Sequence, residues 1–365
     1  MPGNIEKKKA LDIIPGVGQA LSLNEGAIKT IKNKAKKIRP VREYIEGILK
    51  GNKIILSQAI TLIESTLPAH QEIAGQIIDE GIKKSGNSIR IAVTGPPGAG
   101  KSSLIETLGL ELINAGKKLA VLAIDPTSEI SRGSILGDKT RMENLSVKSG
   151  AFIRPTPTSG TLGGVAKKTR ETIILCEAAG FDTIFIETVG VGQNETTVKS
   201  MVDFFMLMVL PGSGDELQGI KRGIMEMADL IVISKADGDN IKKADLAKTA
   251  FQHATDIMPP PVSGYKPRVL LSSALYAVGI KEILANINDY IQFTKGNGYF
   301  LQNRSKQARY WMLESISENL KSQFFDHPEI KTRLKEIEKD VLDNKINPFK
   351  AASILINTYF NYFMK

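Results

Sequence analysis

Apolar positions along this chain follow two rhythms. Up to about residue 87 the rhythm is helical: Ile45, Ile48 and Leu49, then Ile60, Ile63 and Leu67, recur at three- and four-residue spacing. From Ser88 short, strand-length runs take over: Ile89–Thr94, Leu119–Ile124, Thr183–Glu187, Phe204–Leu210, Leu230–Ser234 and Val269–Ser272. Continuous apolar runs of this length, separated by amphipathic helical segments, predict a mainly parallel sheet covered on both faces. After Thr294 the runs stop. Tyr299 to Lys365 reads as two or three helices, with Trp311, Ile316 and Leu320 on one stripe. The predicted organisation is a helical arm (1–87), an α/β domain (88–294) and a helical extension (295–365). An extension too short for a large core of its own is expected to pack on a second subunit.

Composition narrows the class. The 365 residues are 42% hydrophobic and 24% charged, an ordinary globular balance. No run approaches the roughly 18 apolar residues of a membrane span. The polar start containing Glu6 and Asp12 lacks the marks of an export or transit segment, so the expected location is cytoplasmic. With Cys176 as the single cysteine and only His70, His253 and His327 besides, no zinc or nickel ligand spacing exists. Cys176 lies in the apolar phase of a helix read at Thr169 to Ala179, as a buried structural thiol. The net charge of +9 gathers partly in Lys32, Lys34, Lys36, Lys37 and Arg39. That cluster is read as a solvated face, since no aromatic-basic interleaving accompanies it to suggest nucleic acid.

The chemistry enters after the first strand. Gly95, Pro96, Pro97, Gly98, Ala99, Gly100, Lys101 and Ser102 form a complete Walker A loop, with Ser103 opening the following helix. Its glycines allow successive backbone N–H groups to turn inward around phosphates, and the helix N-terminus adds its positive end. Lys101 is placed to reach the β- and γ-phosphates, and the Ser102 hydroxyl to ligate Mg²⁺. Two further strands end in Ala123-Ile124-Asp125 and Ile186-Glu187. Carboxylates there point into the crevice of an open α/β sheet, making Asp125 and Glu187 candidate holders of Mg²⁺ or its waters. Asp138 is a further acidic candidate. Gly190 stands where a backbone N–H would approach the γ-phosphate. Gln193 is a candidate water-orienting residue or, equally, a loop cap.

Ser234-Lys235-Ala236-Asp237 occupies the place of the guanine-reading Asn-Lys-x-Asp motif. An ionised Asp237 accepts from guanine N1–H and N2–H₂, whereas adenine offers neither donor. Lys235 lays its stem along the base. Ser234 replaces the usual Asn, which is expected to weaken base binding by about 1 kcal/mol. Ser273, Ala274 and Leu275 form a second base loop, where the Ala274 N–H is a donor for guanine O6.

Taken together these blocks resemble one family, the methylmalonyl-CoA mutase-associated GTPases, also known as arginine/ornithine transport ATPases, of the SIMIBI class of P-loop proteins. The resemblance is carried by residues 95–103, by Asp125-Pro126-Thr127-Ser128 and by Gly133 to Met142. Ser159 to Gly164, Glu187 to Gln193, Leu210 to Lys221 and Ala308-Arg309-Tyr310-Trp311 extend it. It implies a homodimeric, Mg²⁺-dependent GTPase that binds an adenosylcobalamin-dependent acyl-CoA mutase and gates its cofactor loading. It also implies that Asp125, Asp138 and Glu187 are the metal-site carboxylates. The segments around Asp138, Gly190 and Gly214–Lys221 are implied to be nucleotide switches. Two other classes compete: an ATP-using kinase or transport ATPase, against which Asp237 argues, and a module that holds nucleotide without hydrolysing it.

Overall fold

In the computed structural model the described residues are 38–125, 142–157, 162–188, 195–212 and 222–363. Seven strands form one sheet: β1 (Ile89–Thr94), β2 (Leu119–Asp125), β3 (Ala151–Pro157), β4 (Thr183–Thr188), β5 (Phe204–Val209), β6 (Leu230–Ile233) and β7 (Arg268–Leu271). Their order is β3-β2-β4-β1-β5-β6-β7, and every neighbouring pair is parallel. Six of these are the runs expected from the apolar pattern. The seventh, β3, contains Pro155 and Pro157, whose missing N–H groups hide it from a strand reading. It is tolerated because β3 is an edge strand.

Helices before the sheet are α1 (Val41–Leu49), α2 (Lys53–Glu64) and α3 (Pro68–Gly81). Asn52 caps α2 by accepting from the N–H groups of Ile54 and Ile55. Within the domain follow α4 (Lys101–Asn114), α5 (Glu143–Ser146), α6 (Leu162–Ala178), α7 (Glu195–Lys199), α8 (Arg222–Met227), α9 (Ile241–Asp256) and α10 (Ile280–Gly296). The extension is three helices, α11 (Tyr299–Asp326), α12 (Pro328–Leu342) and α13 (Pro348–Phe363). Helix α6 begins earlier than its apolar phase suggests. Residues 1–37, including the lysines of the basic cluster, lie outside the described residues, as do Asp138, Gly190, Gln193 and 213–221.

Strand alternation splits the interior into two cores. On one face Ala92, Ile186, Phe205, Leu207 and Ile231 pack with α1, α2, α3, α6 and α9. On the other Val93, Phe185, Phe204, Met206 and Val232 pack with α4 and α10. Both faces are thus covered, which is why the strands read as unbroken apolar runs. Cys176 is fully buried on α6, and that burial pushes its thiol pKa up, as for a structural cysteine. From Val41 onward the chain is one compact unit.

A buried ionic network closes the amino-terminal end of the sheet. Glu177 of α6 accepts from Arg90 Nε (2.8 Å) and Nη2 (3.0 Å), Ser88 Oγ (2.6 Å) and Gly86 N (2.7 Å). Asp203 accepts from the Arg90 backbone N–H (2.9 Å) and from Arg304 of α11 at 2.7 and 2.8 Å. Burial alone would raise the Glu177 pKa, but the Arg90 guanidinium and the other donors outweigh it and hold the carboxyl below its ordinary value. A carboxylate depressed in the folded state contributes stability above its unfolded pKa, lost as pH falls through the folded one. Glu177→Gln, which leaves Arg90 uncompensated, is expected to lower unfolding free energy by about 3 kcal/mol in urea titrations at neutral pH. The variant's stability should also fall less steeply than the parent's below the ordinary carboxylate range.

Candidate functional site

The site begins where β1 runs out. Gly95 has φ +151°, and a Cβ there would lie 2.5 Å from the Met208 carbonyl oxygen of neighbouring β5. Only glycine lets the chain leave the sheet at this point. Gly98 (φ +77°) and Gly100 (φ +83°) then turn the loop back, and α4 starts at Lys101. Lys101 is buried at the helix start, and its ammonium donates to the carbonyls of Gly95 (2.9 Å) and Pro96 (3.0 Å). Pro97, Gly98 and Ser103 are exposed on the outer side of the loop.

Register brings a carboxylate to the same place. Val93 of β1 pairs with Glu187 of β4, so Glu187 ends its strand beside the loop. Ser102 Oγ donates to Glu187 Oε1 at 2.7 Å, and Glu187 is only 6% exposed. Next to it the Thr188 hydroxyl donates to Thr94 Oγ1 at 2.9 Å, tying the last residues of β4 and β1 together. This buried pair was not anticipated, although a Thr closing each of two strands before a loop was a visible signal. The backbone of Asp125 ends β2 at the same edge, two residues beyond Ala123, which pairs with Glu187. Among the described residues no three His, Cys, Asp or Glu side chains cluster as a metal site. The oxygen donors Ser102 and Glu187 nevertheless suit a hard cation such as Mg²⁺.

The Lys235–Asp237 and Ser273–Leu275 loops meet beside α4. Lys235 is exposed and left-handed (φ +52°), a conformation that costs a side-chain-bearing residue about 1 kcal/mol. Half-buried Asp237 accepts from Ser273 Oγ at 2.5 Å. Ala236 N–H donates to Ser272 O (3.0 Å), and Ser273 exchanges backbone bonds with Val278, both at 3.0 Å. Thr107 of α4 reaches Ala274 O at 3.4 Å, while Leu275 stands exposed. Ser234 is buried, and both its N–H (2.8 Å) and its hydroxyl (3.0 Å) donate to Val209 O at the end of β5. The structure therefore gathers Gly95–Ser103, Glu187, Lys235, Asp237 and Ser273–Leu275 at one edge of the sheet. A cleft of about 500 Å³ lined by Lys199, Asp229, Pro260 and Tyr299 contains none of them.

Residues 56–329 match the family model described as methylmalonyl Co-A mutase-associated GTPase MeaB. The chain belongs to this family. It is 43% identical over 306 residues to the GTPase ArgK of Escherichia coli, covering 84% of this chain and 92% of that one. It is 42% identical over 334 residues to the mouse mitochondrial methylmalonic aciduria type A homolog, covering 89% and 80% respectively. The crystal structure of a LAO/AO transport system kinase superposes with a TM-score of 0.68 at 36% identity, covering 87% of this chain and 97% of that one. Family membership and fold make the chain a nucleotide-binding P-loop GTPase.

Within this family frame, the Asp237–Ser273 contact is the most testable part of the base loops. The Ser273 hydroxyl fixes which way the carboxylate faces. Ser273→Ala is expected to reduce GDP affinity about tenfold, the loss of one hydrogen bond to a charged group, with ADP binding unchanged. Calorimetric titration of both nucleotides checks this.

Proposed function

We propose that this chain is a Mg²⁺-dependent GTPase that chaperones an adenosylcobalamin-dependent acyl-CoA mutase, methylmalonyl-CoA mutase or a relative. In this reading it gates cofactor loading and protects or reactivates the mutase. The observation that carries the reading is the match of three quarters of the chain to the mutase-associated GTPase model, with the P-loop glycines, Lys101, Ser102 and Glu187 in one place. The name of the mouse relative, which refers to methylmalonic aciduria, supports the same mutase connection.

In this mechanism the N–H groups of Gly98 to Ser103 surround the phosphates, and Lys101 offsets charge developing on the β–γ bridge as water attacks the γ-phosphate. Ser102, Asp125, Asp138 and Glu187 would hold Mg²⁺, which would supply positive charge to offset that developing on the phosphate oxygens. Gln193 is the proposed water-orienting residue. Asp237 chooses guanine, Lys235 covers the ring, and the Ala274 N–H meets O6. In this reading intrinsic hydrolysis is slow and the partner accelerates it.

Three parts serve this cycle: the arm (1–87), the GTPase domain (88–294) and the extension (295–365), through which two copies form a homodimer. Supporting the dimer, α11, α12 and α13 frame an apolar groove of about 590 Å³ lined by Phe324, Leu334, Ile337, Val341 and Leu355. Leu342 (75%) and Phe349 (83%) stand exposed around it in a single copy. No helix among the described residues is long and apolar enough to cross a membrane; a cytoplasmic location is part of the proposal.

Parallel assays of GTP and ATP hydrolysis, with and without an adenosylcobalamin-dependent mutase, test the reading. GTP preference with mutase-stimulated turnover is expected. ATP preference, or indifference to the mutase, would favour the kinase reading that the transport-system relative's name suggests. Asp237→Asn gives an independent check, because xanthine replaces the guanine N2 amine with a carbonyl acceptor. The variant should lose GTP turnover and gain turnover of xanthosine triphosphate.

A further inference from the structure

Helix α11 carries a stripe, Phe300, Arg304, Gln307 and Trp311, at spacings of three and four residues, so all four lie on one helix face. That face meets the amino-terminal end of the sheet. Arg304 binds Asp203 and stacks on Phe300, its guanidinium carbon 4.5 Å from the ring centroid. Gln307 is buried and donates to Val202 O at 2.7 Å. Trp311, the only tryptophan of the chain, donates its indole N–H to Ser200 O at 2.8 Å.

Three elements converge on this one indole. Arg90 of β1 lies 5.7 Å over the ring, and β1 is the strand that delivers the phosphate loop from its other end. Arg170 of α6 lies 5.6 Å over the same ring and 5.3 Å over Tyr310. Two of its buried guanidinium nitrogens, Nε and Nη2, have no hydrogen-bond partner. Ser200 directly follows α7, the first described helix after Glu187 and Thr188 of β4. The indole therefore touches the far end of β1, whose near end carries the phosphate loop about 20 Å away along a six-residue strand, and the backbone that follows α7.

We infer that the Trp311–Gln307 face of α11 is the joint through which the nucleotide state at the P-loop sets the arrangement of the C-terminal helices α12 and α13. The inference rests on the GTPase reading above and extends it to regulation. Its physical basis is that Gln307 and Trp311 of α11 hold the Val202 and Ser200 carbonyls just after α7, so a shift of α7 along its axis must break those bonds or carry α11 with it. Arg170 adds a reason for two positions. Glu314 and Glu318 of α11 already attract the Arg170 guanidinium without bonding its Nε or Nη2, so a displacement that brings either within hydrogen-bond distance is favoured. Trp311 and Gln307 are positioning residues in this scheme and touch no part of the candidate site.

Because Trp311 is the sole tryptophan, its emission reports this joint in the unmodified full-length chain. Binding of GDP and of a non-hydrolysable GTP analogue is first established by calorimetry, and emission is then recorded in both states. A difference in emission intensity or maximum between the two is expected. In Gln307→Ala that difference should shrink, with GTP turnover unchanged. In Trp311→Phe, hydrogen exchange of α12 and α13 should lose its dependence on nucleotide while nucleotide affinity is retained. Tight binding of both nucleotides with identical emission would overturn the joint and leave the GTPase reading standing. Nucleotide-dependent exchange of α12 and α13 that survives in both variants would overturn it as well. Failure of either nucleotide to bind would remove both readings together.

Discussion

The arrangement at the candidate site depends on the parallel register of β4, β1 and β5. With Val93 opposite Glu187 and Thr94 opposite Leu207, β4 and β1 end level at one edge and β5 runs on to Val209 beside the phosphate loop. A slip of one residue would reverse which side chains enter which core, burying none of the present set correctly. It would also part Ser102 from Glu187 and move Met208 O away from Gly95. The two apolar cores therefore fix the strands, and the strands fix the phosphate loop. The chemistry at the edge inherits its precision from burial of Ile91, Phe185, Phe204 and Phe205 well below it.

Much of this was legible in the chain because the signals were local. The Walker A loop names its own glycines and lysine, and the central strands are apolar without interruption since both faces are covered. The hidden parts share the property of depending on distant partners. Strand β3, with Pro155 and Pro157, carries no strand signal of its own and is accommodated only at the sheet edge. The Glu177–Arg90–Asp203–Arg304 network bonds residues 87, 101 and 113 positions apart by geometry that spacing does not encode. Ser234 read as a shortened base contact. In the structure its hydroxyl serves β5 instead, and the base loops are held together by Asp237 with Ser273 and by Ala236 with Ser272.

The helical segments before and after the sheet are bound to it in different ways. Helices α1 to α3 contribute Tyr44, Leu56, Ile60 and Ile77 to the same core as the strands. The start of α11 buries Phe300 in the other core and adds directed polar contacts through Arg304, Gln307 and Trp311, while its later turns, with Ile316 and Leu320 about half exposed, reach away from that contact. Apolar burial resists sliding less selectively than directed hydrogen bonds, which hold only at one register. An element attached by donors to backbone carbonyls is therefore suited to occupy discrete positions, whereas the helices packed into the core serve as fixed walls.

The central claim, that this edge of the sheet is a guanine-nucleotide site, is tested most directly by calorimetric titration of GDP and ADP into the full-length chain with Mg²⁺ present. The account predicts saturable GDP binding at a stoichiometry of one per chain, with ADP weaker by a factor of about a hundred or more, the loss expected when a carboxylate is left without its two donors. Equal affinity for the two nucleotides, or tighter binding of ADP, would contradict it.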